Sequence, residues 1–120
     1  MMLSIIIPIW NVTPELAEMT SDSVSRIRVV AQVPTEIILI DNGSPHRETY
    51  DANMYIRWSQ NRGIAPAWNE GAKHATGDVL CFLNNDVVVL SGWDRVLSAA
   101  AIDGTRIAFP QPNEENDIAG

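Results

Sequence analysis

Short apolar segments alternate along the chain with longer amphipathic ones. The apolar segments are rich in β-branched residues, which is typical of strands buried on both faces of a parallel sheet. Pro8 is expected to end the first of them. The segment 54–59 alternates instead, which predicts a strand near the sheet edge. The strands are expected at 3–7, 36–40, 54–59, 78–83 and 106–109.

Helix signals fill the gaps between these strands. Thr13 is a suitable N-cap, Pro14 suits the first helical position, and Glu15 is favourable at the positive helix end. Gly77 is expected to end the second helix in the usual C-terminal position, and Ser91 can cap the third. The helices are expected at about 14–32, 65–75 and 92–102.

Strands that alternate with helices predict an α/β fold, a mostly parallel sheet with helices on both faces. We expect one domain over residues 1–109, followed by a loose acidic tail over 110–120. Ligands bind such sheets beyond the carboxyl ends of the strands. Polar clusters follow three of the predicted strands, at 10–11, 41–44 and 84–86. Their convergence at one edge predicts a binding site there.

Charge and composition narrow the classes of partner. The 120 residues carry a net charge of -7 and no Lys/Arg cluster, which argues against a nucleic-acid partner. A polyanionic ligand must therefore be met locally, by a metal ion, a helix N-terminus or a few basic side chains. Cys81 lies in an apolar run and is expected to be a buried free thiol, which favours a reducing compartment. No apolar run approaches the ~20 residues of a membrane span. We therefore expect a cytoplasmic protein.

The cluster Asn84-Asn85-Asp86 follows an uninterrupted hydrophobic strand. Mg²⁺ and Mn²⁺ prefer a few carboxylate and carbonyl oxygens together with the phosphates of a ligand. Asp86 supplies a carboxylate, and either asparagine can supply a neutral oxygen. The same residues are also common in ordinary turns between strands. Spacing alone leaves both interpretations open.

Four motifs in order resemble the family 2 glycosyltransferases, the large GT-A group, over residues 4 to about 95. The segment SIIIPIWN at 4–11 resembles the opening strand and Pro-x-aromatic-Asn loop of that family, and EIILIDNGS at 36–44 resembles its second strand and turn. NRGIAPAWNEG at 61–71 is similar to its Asn-x-Gly helix, and GDVLCFLNND at 77–86 to its Asp-x-Asp strand. The resemblance implies a Rossmann-like fold of GT-A type. It also implies a metal-dependent, inverting transferase that binds a nucleotide-diphosphate sugar.

The resemblance also implies roles for single residues. Asp41 would accept a hydrogen bond from the nucleobase edge, unless it only forms the turn. Trp10 lies where the family has an aromatic residue beside the base, although it could instead cover the core. Pro8 and Asn11 would shape the loop against base and ribose.

At the other end of the ligand, Asn84 would lie near the ribose, and Asp86 would bind the Mn²⁺ or Mg²⁺ that bridges the phosphates. Asn84 replaces the first Asp of the commoner motif, which lowers the negative charge of the site. Arg62 is the cation best placed for phosphate, followed by Lys73, although both could be surface residues. The nucleotide-binding candidates are therefore Pro8, Trp10, Asn11, Asp41, Asn42, Arg62, Asn69, Asn84 and Asn85, with Asp86 for the metal.

The resemblance ends before the acceptor half, where the family supplies a carboxylate that deprotonates the acceptor. After Phe109 the only carboxylate side chains are those of Glu114, Glu115 and Asp117, in the tail, and we assign no general base. We expect either a truncated chain or a compact form that completes its site with a partner or a second copy, so a homo-oligomer is possible. The alternative function is a module that binds nucleotides or nucleotide sugars without turnover. The donor sugar, the base and the acceptor stay open.

Overall fold

The computed structural model describes residues 1–101; the strand predicted at 106–109 and the tail at 110–120 lie outside them. Four strands, β1 to β4, and three helices, α1 to α3, follow one another along this part of the chain. Their bounds are β1 Leu3–Ile9, α1 Pro14–Val30, β2 Thr35–Asp41, β3 Met54–Arg57, α2 Ile64–His74, β4 Val79–Phe82 and α3 Trp93–Ala101.

The strands form one parallel sheet in the order β3-β2-β1-β4. The predicted fold class is therefore confirmed, and β3 is an outermost strand of the sheet, as expected. Because every strand points the same way, all four carboxyl ends meet at one edge of the sheet. We call this the carboxyl edge.

Helices cover both faces of the sheet. Odd-numbered residues of β1, such as Ile5 and Ile7, share a buried cluster with Val24 and Ile27 of α1 and with residues of α3. Residues of β2 on the other face pack with Ala67 of α2. Gly71 of α2 has no room for a side chain, because a Cβ there would overlap Ile6. Small residues thus let α2 lie close against the central strands, which fixes the loops at its ends.

Pro8 does not end the first strand, contrary to expectation. The strand runs on to Ile9, and Pro8 pairs in register with Ile40. Backbone groups of successive β1 residues point alternately to the two neighbouring strands. The Leu3 amide and the Ile9 carbonyl bond on the β2 side, whereas the Ile6 carbonyl accepts from Leu83, directly after β4. Pro8, which has no N–H, therefore faces the β4 side, where pairing with β4 has already stopped at Ile6. The proline therefore costs the ladder no hydrogen bond.

Gly77 does not cap α2 in a left-handed conformation either. The helix ends at His74, Ala75 is extended, and Gly77 has no positive φ angle. A Cβ on Gly77 would lie 2.5 Å from Ser4 Oγ and 2.6 Å from the carbonyl oxygen of Met2. Glycine is required here because the backbone passes against β1.

Other local predictions hold. The hydroxyl oxygen of Thr13 accepts from the amide of Leu16 at 3.2 Å, and Pro14 opens α1. Cys81 is a buried free thiol, and burial raises its pKa to about 12. Within residues 1–101, every helix is too short or too polar to cross a membrane.

Candidate functional site

Hydrogen bonds join the three predicted polar clusters at the carboxyl edge. The amide of Asn11, after β1, donates to Ser44 Oγ, after β2, at 2.7 Å. Asn85 Nδ2, after β4, donates to Asn11 Oδ1 at 3.3 Å. The strand ends therefore form one connected surface.

Asn11 is the centre of this network and is fully buried. Its Nδ2 donates to Thr20 Oγ1 at 3.1 Å and to the hydroxyl oxygen of Tyr50 at 3.2 Å. Asn85 Nδ2 also reaches Thr20 Oγ1, at 2.9 Å. A buried amide with its donors and acceptor engaged holds its surroundings in one arrangement. Asn11 and the Nδ2 group of Asn85 therefore support the edge.

The turn after β4 separates anchored from exposed side chains. The carbonyl of Asn85 accepts from Ser23 Oγ of α1 at 2.8 Å, so the middle residue is fixed at both backbone and side chain. Asn84 and Asp86, on either side of it, are exposed. The anchored asparagine thus holds two oxygen-bearing side chains at the surface of the edge.

Asp86 fits a metal ion that arrives with phosphate. Among residues 1–101, no group of three His, Cys, Asp or Glu side chains lies close enough to hold a metal. Mg²⁺ usually keeps water and takes one or two carboxylates plus substrate phosphates rather than a complete protein cage. The exposed pair Asp86 and Asn84 matches that donor set.

Asp41, at the end of β2, is fully buried. Its Oδ1 accepts from the amide of Ser44 at 2.8 Å. Its Oδ2 accepts from the hydroxyl of Tyr55 and from Arg57 Nη1, the latter at 3.1 Å. Burial, followed by the hydrogen bond and the charge of Asp41, raises the pKa of Tyr55 to about 12, so Tyr55 remains a donor at neutral pH. Because Asp41 has no exposed surface, direct contact between it and a ligand would require neighbouring side chains to move.

Asn42 connects β2 to the loop before α2. Its Nδ2 donates to the carbonyl of Gly63 at 2.9 Å, and its Oδ1 accepts from the amide of Arg62 at 2.7 Å. The Arg62 guanidinium lies 4.6 Å from the ring centre of Trp58, a cation–π contact that leaves the arginine exposed. Asn42 is therefore a clamp that positions Arg62 at the edge.

The other predicted site residues differ in how far their side chains are exposed to solvent. Pro8 is buried within β1, where it shapes the strand end. Trp10 is 55% exposed, so most of its indole is open to a ligand. Asn69 is exposed on α2, and Lys73 is exposed four residues further along the same helix.

The sequence matches the family described as glycosyl transferase family 2 over residues 4–118. The chain belongs to this family. It is 33% identical to an uncharacterized glycosyltransferase, EpsJ, of Bacillus subtilis (strain 168), over 83% of this chain and 30% of that protein. It is 29% identical to a dolichyl-phosphate beta-glucosyltransferase of Saccharomyces cerevisiae, over 70% of this chain and 29% of that protein.

This family 2 domain therefore spans less than a third of the length of these relatives. A crystal structure of residues 1–349 of Staphylococcus aureus TarS shares its fold, with a TM-score of 0.66 at 16% identity. That similarity covers 92% of this chain and 39% of TarS. The GT-A fold predicted from the motifs is confirmed by these matches.

A groove of ≈ 690 Å³ on the flank of α1 is a poor alternative site for a family 2 donor. It continues from the Asp86 turn along Val87 and Val88. Its polar lining includes three carboxylates and one guanidinium, which would repel a diphosphate. They belong to Glu15, Glu18, Asp22 and Arg26.

Sequence reasoning missed the side chains that support the site by bonding to Asn11 and Asp41. Thr20 and Tyr50 lie in segments without a motif, and only the fold brings them to Asn11. Arg57 and Tyr55 lie inside the strand predicted at 54–59. The structure ends β3 at Arg57, two residues earlier, so the strand-end rule that selected the other three clusters would have pointed beyond it.

Proposed function

We propose that this domain binds a nucleotide-diphosphate sugar, together with Mn²⁺ or Mg²⁺, at the carboxyl edge and acts as the donor-binding part of an inverting glycosyltransferase. The observation that carries the proposal is the anchored β4 turn. Asn85 is fixed by Ser23 and Thr20, while Asp86 and Asn84 are exposed beside it. An exposed carboxylate on a rigid strand end suits a metal that bridges phosphates.

The donor would lie along the edge with its diphosphate near β4 and its base toward β2. Trp10 offers an exposed indole face against which a base can stack. Arg62, whose backbone amide is held by Asn42, is the exposed cation proposed for a phosphate oxygen. A metal ion bound at Asp86 would act as a Lewis acid on the departing diphosphate.

The remaining candidates would act mainly by holding this surface in place. Pro8, Asn11 and Asn85 are within or bonded to the strand ends, so they would orient the groups that touch the ligand. Asn84 is exposed beside Asp86 and is proposed to face the ribose. Asn69 is exposed on α2 and is proposed to face the phosphates from the side.

A thermal-shift panel tests the donor site. Nucleoside diphosphates and their sugars would be compared with MnCl₂ and with EDTA. A ligand at 100 times its Kd should stabilise the domain by about 2.7 kcal/mol, and the shift should vanish in EDTA. Equal shifts in EDTA would remove the metal from the proposal, and no shift with any nucleotide would remove the donor.

The alternative function is a binding module that holds the nucleotide sugar without turnover. No general base is assigned within residues 1–101, and the carboxylates after Phe109, those of Glu114, Glu115 and Asp117, lie outside the described residues. A donor-hydrolysis assay with metal separates the two functions. Slow release of sugar to water supports a transferase, whereas binding without release supports the module.

We also propose that the domain associates with further protein surface in the cytoplasm. Val88, Leu90 and Val96 are 75%, 60% and 73% exposed, which supports an interface near α3. The free thiol of Cys81 is consistent with a reducing compartment. Light scattering at micromolar concentration should report a dimer or larger species, and a monomer would contradict self-association.

A further inference from the structure

The side chains of β3 close off Asp41 from the carboxyl edge. Asp41 pairs in register with Arg57, and both residues end their strands. The carboxylate has no exposed surface, and its Oδ2 accepts from Tyr55 and Arg57 at once. A ligand that approaches this corner of the edge therefore meets β3 side chains before it meets Asp41.

Arg57 still has donors to offer at this corner. Its Nη1 donates to Asp41 Oδ2 at 3.1 Å and to the carbonyl of Ser44 at 2.9 Å. The guanidinium has five N–H groups in a rigid fork. Within residues 1–101 its Nε and Nη2 meet no acceptor, and the side chain is 32% exposed. Arg57 is thus held by one nitrogen and open at the other two.

The order of the strands sets which part of a donor can reach Arg57. Asp86 follows β4, and Arg57 ends β3 at the opposite side of the sheet. Three strand spacings separate them, roughly 14 Å. If the diphosphate lies at Asp86, the group near Arg57 is the base. The pairing with Asp41 also offsets the charge of Arg57, which suits a neutral acceptor better than a phosphate.

We propose that Arg57 is a specificity-determining residue that donates to a carbonyl oxygen on the nucleobase, and that Asp41 is a positioning residue that acts through Arg57. This inference rests on the proposed donor site. It implies a preference for bases that present an exocyclic oxygen, such as uracil or guanine, over adenine, whose one exocyclic group is an amine donor.

Calorimetry with UDP, GDP and ADP in MnCl₂ tests the inference, with pyrophosphate as the probe for the phosphate part alone. Arg57→Gln should weaken binding of the preferred diphosphate about tenfold, reduce its advantage over ADP, and leave pyrophosphate affinity unchanged. Arg28→Gln is the matched control, because it removes the same charge from the end of α1, where Arg28 bonds Asn53 and the carbonyl of Asp51. It should bind as the wild type does.

A double-mutant cycle separates the two roles. Asp41→Asn alone should also cost about tenfold, but Asp41→Asn combined with Arg57→Gln should cost no more than either change alone. A further tenfold loss in the double variant would show that Asp41 meets the base itself and would overturn the inference. Thermal unfolding of each variant would be measured beside the binding, and Arg57→Lys, which keeps the charge beside Asp41 but loses the fork, provides the test if Arg57→Gln does not fold. It should give an intermediate loss.

The outcomes also distinguish this inference from the proposed function. If Arg57→Gln leaves nucleotide affinity unchanged, or lowers pyrophosphate affinity in parallel, the inference is overturned but the proposed donor site is not. A wild-type domain that binds no nucleoside diphosphate overturns both.

Discussion

Strand β2 carries a hydrogen-bonded carboxylate near each end, Glu36 at the amino end and Asp41 at the carboxyl end. One oxygen of Glu36 accepts from Ser4 Oγ and from the amide and hydroxyl of Thr76, at 2.6, 2.6 and 2.9 Å. All these donors are neutral. Asp41 has neutral donors as well, but it also has Arg57, a cation that remains partly exposed.

The difference separates a structural clamp from a site. Glu36 joins β1, β2 and the loop before β4, and the donors that it engages, from Ser4 and Thr76, carry no charge. Asp41 is equally well bonded, yet its cationic partner keeps unused donors at the surface. A hydrogen-bonded carboxylate therefore indicates function less through the number of its hydrogen bonds than through what its partners expose. The comparison predicts that changes at the amino end affect stability and changes at the carboxyl edge affect binding.

The largest effect is expected at Asp86. Asp86→Ala should weaken metal-dependent binding of a nucleoside diphosphate about 100-fold, or ~2.7 kcal/mol, because the metal loses its protein carboxylate. Calorimetry with and without EDTA measures this. Asp78→Ala is the matched control, since Asp78 precedes β4 whereas Asp86 follows it. Within residues 1–101 the side chain of Asp78 accepts only from the amide of Met2. Unchanged affinity in Asp86→Ala would remove this residue from the site.

The next effect belongs to the amino end. Gly77→Ala should destabilise the domain by about 2 kcal/mol, because the new methyl group would overlap Ser4 and the backbone of Met2. Urea unfolding measures the loss, and nucleotide affinity should not change. If Gly77→Ala were as stable as the wild type, the close approach between this loop and β1 would not be as tight as described.

Much of the fold could be predicted because its signals are local. Apolar β-branched runs mark the buried strands, and Thr13 with Pro14 marks the start of α1. The errors arose where a tertiary contact decides. Pro8 fits inside a strand because the neighbouring strand stops early, and Gly77 is glycine because β1 passes beside it. Neither cause is visible in the residues on either side.

The location of the site could be predicted, but not which of its side chains are exposed and which are engaged in hydrogen bonds. Strand ends and motifs selected residues of the carboxyl edge, and the structure joins Asn11 to Asn85 there. Which of them are exposed depends on side chains from α1 and β3. Thr20 and Arg57 take up groups of Asn11 and Asp41 that the sequence left free for a ligand.

Glu36→Gln should cost about 1–2 kcal/mol at neutral pH, since three donors lose a charged acceptor. Partial burial raises the pKa of Glu36, but hydrogen bonds from Ser4, Thr76 and Gly77 outweigh it and hold the pKa below its ordinary value of 4.5. A lowered pKa in the folded state contributes stability above the unfolded value and loses it as pH falls through the folded value. The gap in urea midpoint between wild type and Glu36→Gln should therefore be constant above about pH 5 and close below the ordinary pKa.

Glu18→Gln is the matched control, because it makes the same substitution at an exposed position on α1. It should leave the urea midpoint unchanged. A gap between wild type and Glu36→Gln that did not narrow as the pH fell would mean that the loss comes from packing rather than from the charge.

The smallest effect is expected at Trp10, where the comparison is sharpest, because this side chain is large yet contributes little to the core. Trp10 is 55% exposed, so Trp10→Ala should leave the urea midpoint almost unchanged. Removing a stacking surface should weaken nucleotide binding by about 1 kcal/mol, at the low end for base–aromatic stacking because the indole borders open solvent. Trp10→Phe should recover most of the affinity, and pyrophosphate binding should be the same in all three proteins. A fall in stability that matched the fall in affinity would instead assign Trp10 to the core, and the base would then have no aromatic partner on this strand end.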